Sequence, residues 1–296
     1  MQKINKKTLK SFNNFRPNTI VKSNLGRQVL SKEIETLIRR LYLQTYRRPS
    51  SLIISIIQPL LWLLLFGALF QNAPIYLFEA YNIKYREFLN PGIIIFTGFN
   101  SAINTGLPII FDREFGFLNR ILTSPLVNKS SLIYSCMMHG WLITSTQILG
   151  IIMFNIYQTG KITTISQLLI NILISTLIIT NISSFSIYSA FILPGHIEFL
   201  ALTALFINLP TLFASTALAP LSFMPNWLQI ISCINPLTYA IEIIRKSNLE
   251  QNFSLSTSII NTIWFNIDVK SGILILLLLN LLSFILVINI IKYKYD

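Results

Sequence analysis

The residue types able to do chemistry are few in this chain, and their spacing limits what it can do. There are 11 Asp and Glu, 2 His and 2 Cys in 296 residues. Cys136 and Cys233 sit in apolar surroundings and fit no metal-ligand spacing, so both read as packing residues. His139 lies in an apolar run and His196 in a short turn, too little for a haem or metal site. No G-x-x-x-x-G-K-[ST] occurs, and the Gly160-Lys161 step is followed by Ile162. The chain therefore lacks a phosphate loop with which to hydrolyse ATP. Three polar constellations remain. Asp112-Arg113-Glu114 is followed by Gly116, Asn119 and Arg120. Thr97, Asn100, Ser101, Asn104 and Thr105 recur at three- and four-residue steps, as one face of a helix does. Asn235-Pro236 precedes Glu242 and Arg245.

These residues are set in a mostly apolar chain. Of its residues 53% are hydrophobic and 11% are charged, against roughly 25% charged in a soluble domain. The composition and the long apolar runs define an all-α polytopic membrane protein. Six runs are near the roughly 20 residues that cross a hydrocarbon core: 52–70, 92–110, 131–156, 167–192, 199–219 and 272–291. Residues 1–30 are a basic tail with no sustained apolar period, and no apolar h-region of a signal peptide is expected there. Residues 31–48 read as an amphipathic interfacial helix, N-capped by Ser31 and ended by Arg47, Arg48 and Pro49. Residues 49–296 form the transmembrane domain.

Charge sets the orientation. Residues 1–48 hold 12 Lys or Arg against Glu33 and Glu35. A basic tail can bind nucleic acid, but on a membrane protein it reads as a topology signal, and no nucleic-acid partner is expected. With six spans, 17 basic residues fall on the side of the N-terminus, the 111–130 loop, the 193–198 turn and the C-terminus, and 6 on the other. The richer side should be the cytoplasmic or stromal one. On that side Phe111–Leu126 reads as one short helix, too charged to span and stopped by Pro125. Phe111, Phe115, Leu118 and Leu122 share its apolar face, with Asp112, Arg113, Asn119 and Arg120 opposite. Glu114 falls inside the apolar arc and should need a partner there. On the far side, Asn235-Pro236 splits two half-membrane apolar runs, as in a re-entrant helix pair buried against protein.

The run Asp112-Arg113-Glu114-Phe115-Gly116-Phe117-Leu118, with Asn119-Arg120-Ile121-Leu122 and Pro125-Leu126, resembles the loop after the second span of type-2 ABC exporter permeases. Asn235-Pro236-Leu237-Thr238-Tyr239, continued by Glu242 and Arg245, resembles that family's second motif. The resemblance covers roughly residues 31 to 291. It implies a permease subunit that binds no cofactor itself, with ATP and Mg on a separate ABC ATPase. It implies a homodimer or a heterodimer with a related permease, embedded in membrane lipid. It also implies that Asp112, Arg113, Glu114, Gly116, Asn119 and Arg120 couple to the ATPase, and that the substrate is a lipid, glycolipid, glycan or drug-like amphiphile. The polar face of Thr97, Asn100, Ser101 and Asn104 is then either glue between helices or the wall of a substrate path. The bias toward Ile, Asn, Ser and Lys points to a plastid membrane, otherwise to a bacterial plasma membrane.

Two other classes compete. An integral-membrane lipid-processing enzyme would cluster carboxylates or histidines at one membrane face, and one turn of charges at 112–114 is thin material for that. An ion-coupled carrier would place carboxylates inside its spans, where this sequence has almost none.

Overall fold

The structure, a computed structural model, describes residues 26–70, 85–124, 130–160, 164–192, 197–249, 253–261 and 266–295. These residues form eleven helices and one short hairpin. In chain order, α1 is Gly26–Tyr46, α2 Pro49–Leu69, α3 Tyr85–Ile103, α4 Leu107–Glu114 and α5 Phe117–Thr123. Then follow α6 Ser131–Thr159, α7 Ile165–Ile192, α8 Ile197–Phe213, α9 Asn226–Ile234, α10 Pro236–Leu249 and α11 Val269–Tyr295. The hairpin pairs β1 Ser258–Asn261 with β2 Asn266–Asp268, antiparallel, Ser258 facing Asp268 and Asn261 facing Asn266.

Five helical runs among the described residues are long and apolar enough to cross a membrane: Leu52–Leu69, Tyr85–Glu114, Ser131–Gln158, Ile165–Ile192 and Val269–Ile290. The bent pair α9–α10 makes a sixth if counted as one span. The chain is thus an all-α polytopic membrane protein. α8 has 17 residues, about 25 Å of helix, and ends before the expected 219.

Several expected boundaries shift for local reasons. α1 starts at Gly26, so Ser31 lies inside a helix instead of capping it. No breaker stands between the two, and Arg27 to Leu30 accept helical geometry. The second span starts at Tyr85 and passes through a 3-10 turn, Asn104–Gly106, into α4. Pro108 has no N–H for the Asn104 carbonyl, so the helix must tighten there. Ser186 of α7 repairs the break, accepting from the Gly106 N–H at 2.9 Å and donating to the Ile103 carbonyl at 2.6 Å. The tail up to residue 25, Pro125, Leu126 and His196 lie outside the described residues.

Packing sorts the helix ends. Leu41 of α1, Ile109 and Ile110 of α4, Leu118 of α5, Leu132 and Ile133 of α6, Phe191 of α7 and Val287 of α11 share one buried cluster. The start of α6 and the ends of α7 and α11 therefore meet at one end of the bundle, together with α1 and the α4–α5 turn. Toward the other end, α10 and the hairpin pack with α3, α7 and α11 around Ile95, Ile178, Tyr239, Ile243, Ile260 and Leu276. A Cβ on Gly92 would stand 2.6 Å from the Ala217 carbonyl oxygen, so α3 and the segment after α8 touch backbone to backbone.

Candidate functional site

The 111–124 segment is not one helix. Gly116 takes φ 73°, left-handed, and separates α4 from α5. Its N–H donates to the Arg113 carbonyl, the usual way a glycine closes a helix. The break changes the phase of everything after it, so the expected apolar face is not continuous. Leu118 is buried and Leu122 packs beside it, while Phe115 is 64% and Phe117 52% exposed. Phe111 stacks on Phe115, and Arg48 lies over the Phe111 ring at 5.0 Å. Arg120 sits 5.8 Å from the Phe117 ring centre, and Asn119 is exposed.

The charged triplet divides its work. Asp112, expected on the polar arc, is buried and paired with Arg40 of α1. Arg113 donates to the Ala190 and Phe191 carbonyls at 3.0 and 3.3 Å, at the C-terminal end of α7 where such carbonyls lack helical partners. Glu114 was expected among apolar side chains with a partner; it is instead exposed. The carboxylate paired with α1 is Asp112 instead. Arg40 is the residue the sequence did not single out. It lies 72 positions from Asp112, and only an α1 packed along α6 brings them together.

α1 is fixed along that line by three contacts. Ser131 Oγ donates to Glu33 at 3.2 Å, Leu41 is buried, and Thr45 Oγ1 lies 3.0 Å from His139 Nε2. Tyr42 meets the His139 ring edge-on at 5.1 Å, and burial raises its hydroxyl pKa. His139 is thus a packing and hydrogen-bonding residue between helices.

Much of the polar face of α3 is spent on neighbours. Thr97 donates to its own Ile93 carbonyl. Asn100 accepts from Asn208 of α8 at 2.7 Å, and Ser101 from Thr144 of α6 at 2.8 Å. Thr105 pairs with Ser183. Asn104 alone of the five is exposed, beside the α3–α8 contact. Phe206 and Phe213 of α8 are exposed.

The α9–α10 pair bends by 87° at Asn235-Pro236. Asn235 organises the bend. Its Nδ2 donates to the Thr211 and Ala214 carbonyls at 2.9 and 2.7 Å, and its Oδ1 accepts from the Leu237 N–H at 3.0 Å. One side chain thereby caps the end of α8 and the start of α10. Nearly three turns on, Arg245 is fully buried, paired with Glu242, and 3.7 Å from the Phe88 ring centre. It also donates to the Thr216 and Phe88 carbonyls at 2.7 and 3.3 Å. A buried pair held by further hydrogen bonds specifies how α10, α3 and the segment after α8 fit together.

A multi-span helical bundle whose one end gathers a broken charged helix, and whose other end holds a bent helix pair locked by a buried ion pair, is the membrane domain of a transporter class. The ABC-2 type transporter profile matches residues 32–249, and the chain belongs to that family. It is 46% identical over 265 residues to the transport permease ycf38 of Porphyra purpurea, covering 90% of each chain. It is 43% identical over 261 residues to the protein of that name in Cyanophora paradoxa, covering 88% of this chain and 89% of the other. A daunorubicin resistance ABC transporter permease, DrrB1 of Streptomyces coeruleorubidus, is 25% identical over 197 residues, covering 65% and 66%. The ycf38 relatives are plastid-encoded, and the chain is a multi-pass protein of a plastid membrane.

Proposed function

We propose that this subunit exports an amphiphile, driven by a separate ATPase that holds the ATP and Mg and grips the α4–α5 turn. One observation carries the reading. Asp112 and Arg113 anchor the turn inward to α1 and α7, while Glu114, Phe115, Phe117, Asn119 and Arg120 stand outward around Gly116. An element that receives force needs both a rigid root and an exposed head. Glu114, Gly116, Asn119 and Arg120 then belong to the contact with the ATPase. Asp112 and Arg113 belong to its transmission into the spans.

Two permease copies, or this one with a related permease, would enclose the path. The α3–α8 boundary supports a place for it, since the Asn100–Asn208 amide pair lies there with Asn104 exposed one turn on, and α8 also carries exposed Phe206 and Phe213. Amides and aromatic rings on the same pair of helices suit a molecule with a polar and an apolar part. The drug-resistance role in the name of the Streptomyces relative agrees with a substrate of that kind.

The test is co-purification with the cognate ATPase and transport by the reconstituted complex. Glu114→Ala and Gly116→Leu should insert normally yet lose ATP-driven transport. Two variants that bind the ATPase and transport as the unaltered protein does would remove the turn from this role.

A further inference from the structure

We propose that the outer face of α1 is a docking surface for the anionic headgroups of the adjoining bilayer leaflet. The proposal concerns the permease itself and does not depend on the ATPase reading. α1 has two unlike faces. The inner one is committed: Glu33 to Ser131, Arg40 to Asp112, Leu41 to the core and Thr45 to His139. Arg39 stands nearly opposite Leu41 on the helix and is exposed, as are Lys32, Glu35 and Arg47. Leu43 and Tyr46 are exposed on the same side, Tyr46 by 82%. Among the described residues Lys32, Arg39 and Arg47 make no ion pair, and Glu35 is the acidic group beside them. The face is therefore net cationic with an aromatic and aliphatic centre, the composition of a membrane-interface anchor.

The position of α1 decides in favour of lipid over water or protein. The contacts climb α6 in step, from Glu33 at Ser131 to Thr45 at His139 to Ser55 of α2 at Gln147. Between the first two, α1 advances about 18 Å and α6 about 12 Å, so α1 leans across α6. The apolar run of α6 has 28 residues. That is about 42 Å against a core of roughly 30 Å, leaving about 12 Å outside the hydrocarbon in total. Even the Ser131 end of α1 is then within about 12 Å of the hydrocarbon, at headgroup depth and close to one Debye length. Tyr46 and Arg47 lead directly into α2, whose Ile53, Ile54 and Ile57 are exposed. The cationic face is continuous with an apolar surface of membrane-spanning length.

The probe is spin-labelled lipid in vesicles of phosphatidylcholine containing the full-length protein. The fraction immobilised at the protein is compared for labelled phosphatidylglycerol and labelled phosphatidylcholine. A cation near an anionic surface is worth about fivefold, so the preference for phosphatidylglycerol should lie between about 5 and 25 at low salt. It should fall toward 1 in Lys32→Gln/Arg39→Gln/Arg47→Gln and in high salt, and rise in Glu35→Lys. Neutralising the tail at Lys3, Lys6, Lys7 and Lys10 should leave it standing. A preference untouched by the triple substitution, or abolished by the tail substitutions, would overturn the proposal. So would a triple variant that keeps its lipid preference and loses ATPase binding, because the face would then be a protein-docking surface.

Discussion

The ion pair between Arg40 and Asp112 should behave asymmetrically when it is taken apart. The Asp112 side chain is 7% exposed and that of Arg40 is 30% exposed. Arg40→Ala strands a carboxylate with little access to water. Breaking a fully buried pair costs about 3–5 kcal/mol, and partial access on the Arg40 side brings the expected loss to about 2 kcal/mol. Asp112→Asn leaves a guanidinium that can turn outward on its long stem, so about 1 kcal/mol is expected. The double variant should cost less than the two losses added, with a coupling of about 1–2 kcal/mol between them. The assay is amide hydrogen exchange of α1 in the full chain held in lipid nanodiscs. In it 2 kcal/mol appears as a roughly thirtyfold faster exchange of residues 33–45. Losses that add to within about 0.3 kcal/mol would refute the reasoning, for the two side chains would then act independently.

Asn235→Ala should cost about 2–3 kcal/mol, since three hydrogen bonds end on that side chain, and Asn235→Asp should recover only the cap on Leu237. Thermal unfolding in detergent would read both. Gly92→Ala should lower the midpoint by several degrees because its Cβ meets the Ala217 backbone, whereas Gly150→Ala, with open space around it, should not. The isolated chain in lipid should hydrolyse no ATP, having no phosphate loop, and robust turnover by it would contradict the division of labour between subunits. Cysteines placed at Asn5 and at Gln251 should be labelled from opposite sides of the membrane; labelling of both from one side would break the six-span topology.

What the sequence disclosed, it disclosed through local rules. Long apolar runs mark α2, α6, α7 and α11, and Pro236 forces the α9–α10 bend wherever the pair is packed. The α4–α5 turn was harder. Periodicity treats Phe111–Leu126 as a helix throughout, but a glycine able to take φ 73° ends one helix and restarts another in a different phase. That single residue separates the apolar face into two parts: Leu118 and Leu122 of α5 pack into the core, while Phe115, ahead of the glycine, stands outward. The Arg40–Asp112 and Asn100–Asn208 pairs join residues far apart in sequence, and nothing in either segment alone names its partner. The hairpin at 258–268 is two strands of four and three residues, below the length at which alternation is legible.

Cross-linking from the head of the α4–α5 turn tests the central claim most directly. Cys136 and Cys233 are both buried, so a cysteine placed at Phe115 gives a specific attachment point. In membranes carrying the complex, Phe115→Cys should cross-link to the ATPase subunit, with a yield that changes when ATP is added. It should react with a water-soluble thiol reagent from the ATPase side only after that subunit is removed. A cysteine at this position that labels from the opposite side, or labels equally with and without the ATPase, would contradict the account.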